Sequence, residues 1–188
     1  RQYLDAFSVH GYTDGVNPQP NSGAAQAWGR LGTIGAGMGV ATWMTECAGW
    51  ESSDAISPAL HMGMALKHGN ISLWVYLALN SCDQYGLLCN KQHTPRSAAA
   101  KNYYHFILPG AVRIDADYTD PHLLVTAFHH KGNRTLTIVA VNDTAGTRQM
   151  NLQGAGLPAT MRRYATTASG TQKLCADEGD VATTGPVP

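Results

Sequence analysis

The sequence predicts an α/β unit followed by an all-β unit. Residues 1–108 alternate short β-like runs with longer helical patterns, whereas 109–188 carry period-two runs divided by Gly, Asn and Asp. The change of pattern falls at Leu108-Pro109-Gly110. With 44% hydrophobic and only 14% charged residues, the 188-residue chain can bury a core and is not a disordered polymer.

Three strands are expected in the first unit: Leu4 to His10, Gly39 to Thr45, and Ile71 to Leu79. The last is almost continuously apolar, as a strand covered on both faces should be. Helices are expected between them. One runs from Asn21 to about Leu31, with Ala24, Ala27, Trp28 and Leu31 on one face; the next runs from Asp54 to Lys67, with Ile56, Leu60, Met64 and Leu66 near one stripe. The third has the clearest start, because Thr94 can accept from orphan amides while Pro95 takes the first helical position, where its missing N–H costs nothing. It should end near Phe106.

In the second unit His122 to His130 and Arg134 to Asn142 read as a hairpin across Lys131-Gly132-Asn133. Further strands are expected near Arg148 to Leu152, Thr160 to Thr166 and Gln172 to Cys175, together forming a β-sandwich, with a frayed tail from Ala176 to Pro188.

Several functions are excluded by charge and length. Thirteen Lys+Arg balance thirteen Asp+Glu, so the basic footprint that nucleic acid or an anionic membrane surface demands is missing. Ile71 to Leu79, the longest apolar run, is too short to span a bilayer. The four cysteines, Cys47, Cys82, Cys89 and Cys175, show no zinc spacing, and no metal is expected. Cys82 and Cys89 flank a short Gly-containing loop, and the sequence leaves a disulfide and two free thiols both open. Sequons at Asn70, Asn133 and Asn142, where chance gives about one, and the low charge point to an exported protein. The chain opens on Arg1 without a signal-type segment, which reads as a processed or partial chain.

In parallel βα architectures reactive groups gather where strands end and βα loops begin. That rule selects His10 and Tyr12 after the first strand, Trp43 and Glu46 at the end of the second, and Trp74 and Tyr76 in the third. Glu46 is the only carboxylate among them and one of three Glu in the chain, with Glu51 and Glu178. A carboxylate so placed is either a nucleophile or general base, or an ordinary loop residue making a cap or ion pair. Flat aromatic faces with a few polar anchors suit a sugar, although Trp43 and Trp74 read equally well as core residues. A serine nucleophile at Ser8 lacks a Gly-x-Ser-x-Gly elbow.

The segments LDAFSVHGYTDG, WMTECAGWE, SLWVYLALN and AAAKNYYHFILPGAVRIDA, in that order, resemble the carboxyl-terminal half of glycoside hydrolase family 30 over nearly the whole chain. The resemblance implies a partial (β/α)8 barrel, its last three βα units, followed by an antiparallel β-sandwich side domain. It implies a retaining hydrolase of β-linked glycans that needs no cofactor; the alternative is a truncated, non-catalytic relative that binds carbohydrate or oligomerises. Glu46 would be the nucleophile, His10 and Tyr12 would hold its carboxylate and a neighbouring sugar hydroxyl, and Trp74 would form part of the sugar floor. Leu77 stands where many members carry another Trp, which implies a changed donor subsite. The family's acid/base Glu lies on a stretch this chain lacks. Glu51 and Asp83 are the nearby stand-ins, each also readable as a solvated loop charge. A whole barrel needs about 250 residues, so the expected partners are an oligosaccharide or polysaccharide and either further copies of the chain or an amino-terminal portion that completes the barrel. Two copies would bring six strands, not eight.

Overall fold

The computed structural model describes residues 3–12, 23–168, 172–184 and 186–187. Strand β1 (Ala6–Val9), helix α1 (Ala24–Met38), strand β2 (Ala41–Met44), helix α2 (Ile56–Gly69) and strand β3 (Leu73–Trp74) form a three-stranded parallel sheet in the order β1-β2-β3, with the helices packed on one face. Among the described residues this sheet does not close into a barrel.

Helix α1 begins close to the expected start, although Asn21 lies outside the described residues, and it runs well beyond Leu31 to Met38. Two glycines in the extension let the helix approach its neighbours. A Cβ at Gly32 would sit 2.9 Å from the Gly69 carbonyl oxygen at the end of α2, and one at Gly35 would sit 2.7 Å from the Thr42 methyl on β2. The helical cost of glycine, about 1 kcal/mol each, is therefore offset by contacts no larger residue permits. Trp28 of α1 is fully buried.

Helix α2 is not striped. Every residue from Pro58 to Ala65 is buried, because α1, α3 (Pro95–Tyr104) and the hairpin strands β7 (Leu123–His130) and β8 (Thr135–Asn142) surround it. The Asp54 carboxylate accepts from the Ile56 and Ser57 amides at 3.0 Å, satisfying two of its orphan donors. Gly63 again marks a close approach, with Leu124 of β7 and the Tyr103 hydroxyl where a Cβ would stand. That hydroxyl donates to the Ala59 carbonyl at 2.8 Å, joining α3 to α2. Helix α3 starts as expected: Thr94 and Ser97 form a reciprocal capping box with Pro95 in the first turn.

The apolar run Ile71 to Leu79 is not one doubly covered strand. It divides into β3 and β4 (Ala78–Asn80), the latter paired in a separate sheet with β5 (Gly86–Leu88). Leu73, Val75, Leu77 and Leu79 are exposed, while Trp74 and Tyr76 pack on the core. The physical reason is position: β3 is an edge strand with helices on one side only, so alternate side chains meet solvent. Cys82 and Cys89 form a disulfide across the β4–β5 connection, settling the alternative the sequence left open.

Beyond Gly110, β6 (Val112–Ile114) joins β7 and β8 in an antiparallel sheet, with His130 opposite Thr135 at the hairpin end. Strands β9 (Met150–Asn151) and β12 (Pro186–Val187) pair with each other, as do β10 (Thr160–Ala165) and β11 (Ala176–Ala182). The strand expected at Gln172 to Cys175 is thus displaced into the segment expected to fray. Its charges explain the order: Arg162 pairs with Asp177 and Asp180, and Glu178 with Arg163 and Lys173, so the polar side chains that suggested a tail are cross-strand partners.

Candidate active site

The register of the parallel sheet brings the carboxyl ends of β1 and β2 side by side. Val9 lies opposite Met44, and the Thr45 amide donates to the Val9 carbonyl at 3.1 Å, so the chain after β1 runs beside the chain carrying Glu46. At the turn, Gly11 has a φ of 75°, and a Cβ there would lie 2.8 Å from both the His61 ring and the Met44 methyl. Only glycine satisfies both the left-handed backbone and that space. The tight turn swings His10 and Tyr12 toward Glu46. His10 Nδ1 lies 3.9 Å from Glu46 Oε1, with the carboxylate side chain about one-third exposed (34%). The rings of His10 and Tyr12 meet edge to face at 6.3 Å.

The electrostatics agree with this grouping. The Tyr12 phenol is pushed up to about 12, first by burial and then by the charge and hydrogen bonding of Glu46, with smaller contributions from Cys47 and Tyr85. Tyr12 therefore stays protonated and able to donate to the carboxylate. Cys47, next in sequence, is buried; that burial pushes its thiol well up, and its Sγ donates to the Val75 carbonyl at 3.4 Å. It is a packing residue rather than a second nucleophile.

The two expected sugar-facing tryptophans sit on opposite sides of the sheet. Trp43 pairs with Leu73 and Met44 with Trp74, so Trp43 faces the helix-free side while Trp74 joins Met44 on the helix side. Trp43 Nε1 donates to Ser72 Oγ at 3.2 Å. Trp74 meets the buried His61 edge-on at 4.8 Å. Tyr76 lies 6.0 Å from the Trp50 ring and donates to the Gln84 carbonyl at 3.3 Å. Glu46, His10 and Tyr12 are thus brought together, Trp74 and Tyr76 border them from the core side, and Trp43 stands apart on the open face.

Three residues that sequence reasoning passed over shape this end of the sheet. Arg96 is completely buried; its Nη1 donates to the Trp50 carbonyl and its Nη2 to the Asp83 carbonyl at 3.1 Å, tying the loop after Glu46 to the disulfide-closed loop. The Gln84 carbonyl in that loop also accepts from the Gly49 amide at 3.0 Å. His61 fills the space under Gly11 between Trp28, Trp50 and Trp74. Tyr85 is the exposed aromatic that the closed loop holds near Tyr12. The only sequence signal for Tyr85 was its place between Cys82 and Cys89.

Asp83 makes a poor proton donor. Its carboxylate accepts from the Tyr85 amide at 2.9 Å, and this turn holds it below the usual carboxylate range. Glu51 is exposed, and Glu178 is bound in its ion pairs with Arg163 and Lys173. A shallow groove of about 370 Å³ between β5 and α3, lined by Leu79, Leu87, His93, Lys101, Tyr104 and His105 among others, shares no residue with the Glu46 group.

No family model and no curated protein sequence matches the chain. Solved structures do. A GH30 endoxylanase from Clostridium papyrosolvens C71 superposes with a TM-score of 0.66 at 20% identity, over 98% of this chain and 46% of that one. The catalytic domain of GH30 xylanase C from Talaromyces cellulolyticus superposes with a TM-score of 0.65 at 19% identity, over 89% of this chain and 39% of that one. The chain has a glycoside hydrolase family 30-related fold. At such identity the likeness establishes shared architecture, and function has to be argued from the site itself. The chain spans less than half the length of the family 30 xylanases it matches.

Proposed function

We propose that the chain is the carboxyl-terminal part of a retaining glycoside hydrolase acting on a β-linked glycan, with Glu46 as nucleophile. On this reading β1, β2 and β3 are the last strands of a (β/α)8 barrel, and the sheets of 109–188 form its sandwich side domain. The observation that carries it is the placement of one carboxylate at the carboxyl end of a parallel strand, beside the Tyr12 hydroxyl and the His10 imidazole, in a family 30-related fold.

Chemically, a Glu46 oxygen attacks the anomeric carbon as the glycosidic oxygen leaves, giving a covalent glycosyl-enzyme that water then releases. Tyr12 donates to the carboxylate and selects which oxygen attacks. His10 lies at the rim, within reach of a sugar hydroxyl. The proton for the leaving oxygen comes from a carboxylic acid outside these residues, because retention needs one about 5–5.5 Å from the nucleophile and Asp83 is held ionised. The same observation favours a second reading, a glycan-binding relative without turnover. Export accords with the Cys82–Cys89 disulfide, and no described helix is long and apolar enough to cross a membrane.

Aryl β-glycosides with a good leaving group test both readings, since they reduce the need for an acid; β-xylosides belong in the panel because the matched structures are xylanases. Release by the wild type and not by Glu46→Gln supports the hydrolase. Glycan binding without release supports the second reading.

A further inference from the structure

Of the three sequons, two have exposed asparagines and one has its asparagine half-buried and held in a turn. Asn133 occupies the exposed tip of the β7–β8 hairpin, where residues 131–135 are all exposed. Its backbone amide donates to His130 Nδ1 at 3.0 Å, which fixes the turn while the side chain points to solvent, and Thr135 stands exposed at the first position of β8. Asn70 caps the end of α2 in the left-handed conformation, φ 48°. It and Ser72 are exposed, whereas Ile71 between them is buried, and the Ser72 hydroxyl oxygen accepts from Trp43 Nε1. Asn70 precedes β3, at the opposite end of the parallel sheet from Glu46, which follows β2.

Asn142 is different. Its Oδ1 accepts from the Thr144 amide at 3.0 Å and from the Thr144 hydroxyl at 2.8 Å, and its Nδ2 donates to the Gly146 carbonyl at 2.7 Å. Its backbone is paired with Leu123 in the β7–β8 ladder, and neighbouring Asp143 binds His122 at 3.0 Å. The amide nitrogen a glycan would need is held to the Gly146 carbonyl, and the side chain is half-buried.

We propose that Asn70 and Asn133 carry N-linked glycans and that Asn142 does not. The bond forms between the Asn Nδ2 and the anomeric carbon of an oligosaccharide delivered on a lipid diphosphate; the amide gives up one proton and the lipid diphosphate leaves. The Cys82–Cys89 disulfide accords with an oxidising compartment, the setting in which such transfer takes place. Asn70 lies at the opposite end of the parallel sheet from Glu46, and Asn133 lies on the β7–β8 tip.

The full chain is secreted from a eukaryotic host, digested under native conditions with peptide-N-glycosidase in heavy-oxygen water, and mapped by peptide mass spectrometry. Labelled Asp is expected at positions 70 and 133, with unlabelled Asn at 142. Thr135→Ala and Ser72→Ala, which abolish the sequons without touching either Asn, should each remove one glycan, and Asn142→Gln should remove none. Label at 142, or an unlabelled Asn at 70 or 133, overturns the proposal.

Discussion

Replacing Arg96 by Met should destabilise the protein by about 2 kcal/mol or more, a magnitude set by two opposing effects. Arg96 is buried with two carbonyl partners, those of Trp50 and Asp83, and its guanidinium lies 5.7 Å from the centre of the Tyr76 ring. Hydrogen bonds from a charged donor contribute about 1.5–3 kcal/mol each, so losing both costs about 3–6 kcal/mol. Against that, a buried charge paid heavily for desolvation, and a well-packed apolar replacement recovers about 1–4 kcal/mol. The loss should prevail because Met leaves two buried carbonyls without donors. Arg96→Lys should fall between, since an ammonium is a point donor that cannot fork to two carbonyls. Urea unfolding followed by tryptophan fluorescence measures the change, with an unaltered denaturant slope confirming that only stability has moved. Hydrogen exchange at the Gly49 amide, which bonds Gln84, should quicken in step. A Met variant as stable as the wild type, with Gly49 still protected, would refute the view that Arg96 ties the two loops.

Thr94→Ala should cost about 1 kcal/mol by opening the α3 capping box, read from the same denaturation curves. Reduction of Cys82–Cys89 should cost about 2 kcal/mol from the regained freedom of a short loop; a thiol reagent should then detect two cysteines, with the buried Cys47 and Cys175 reacting only after denaturation. The Tyr12 phenol, raised from 10.0 to about 12 in the folded chain, loses its proton more readily when unfolded, so stability should decline as pH rises through that window and be unaffected by Tyr12 below it. Melting temperatures compared between wild type and Tyr12→Phe across the alkaline range would show the variant with the shallower decline.

Much of this architecture could be read from local chemistry. Thr94-Pro95 announced a helix start because capping and a fixed φ act within a few residues, and the hairpin of β7 and β8 followed from alternation around Lys131-Gly132-Asn133. Glu46, His10 and Tyr12 were accessible for a related reason: each follows a short apolar strand, and parallel neighbours place such ends together. The failures depended on distant partners. The apolar face ended at Leu31, whereas the helix continues to Met38 because Gly32 and Gly35 let it press against Gly69 and Thr42. The run Ile71 to Leu79 looked doubly covered because hydrophobicity cannot reveal that β3 is an edge, and the residues from Asp177 to Asp180 looked like a tail because their countercharges, Arg162 and Arg163, lie on another strand. Trp43 and Trp74 were grouped by residue type, whereas strand register places them on opposite faces. Arg96 gave no signal at all, since a lone arginine in a helix ordinarily faces solvent.

The most direct measurement is covalent trapping of the nucleophile. A deoxyfluoro β-glycosyl fluoride, which forms the glycosyl-enzyme readily but releases it slowly, is incubated with the intact chain and the product digested for peptide mass spectrometry. The account predicts one added sugar on the peptide carrying Glu46, absent from Glu46→Gln and weakened in Tyr12→Phe. A sugar attached to any other residue, or an unlabelled chain that nevertheless binds the reagent, would contradict it.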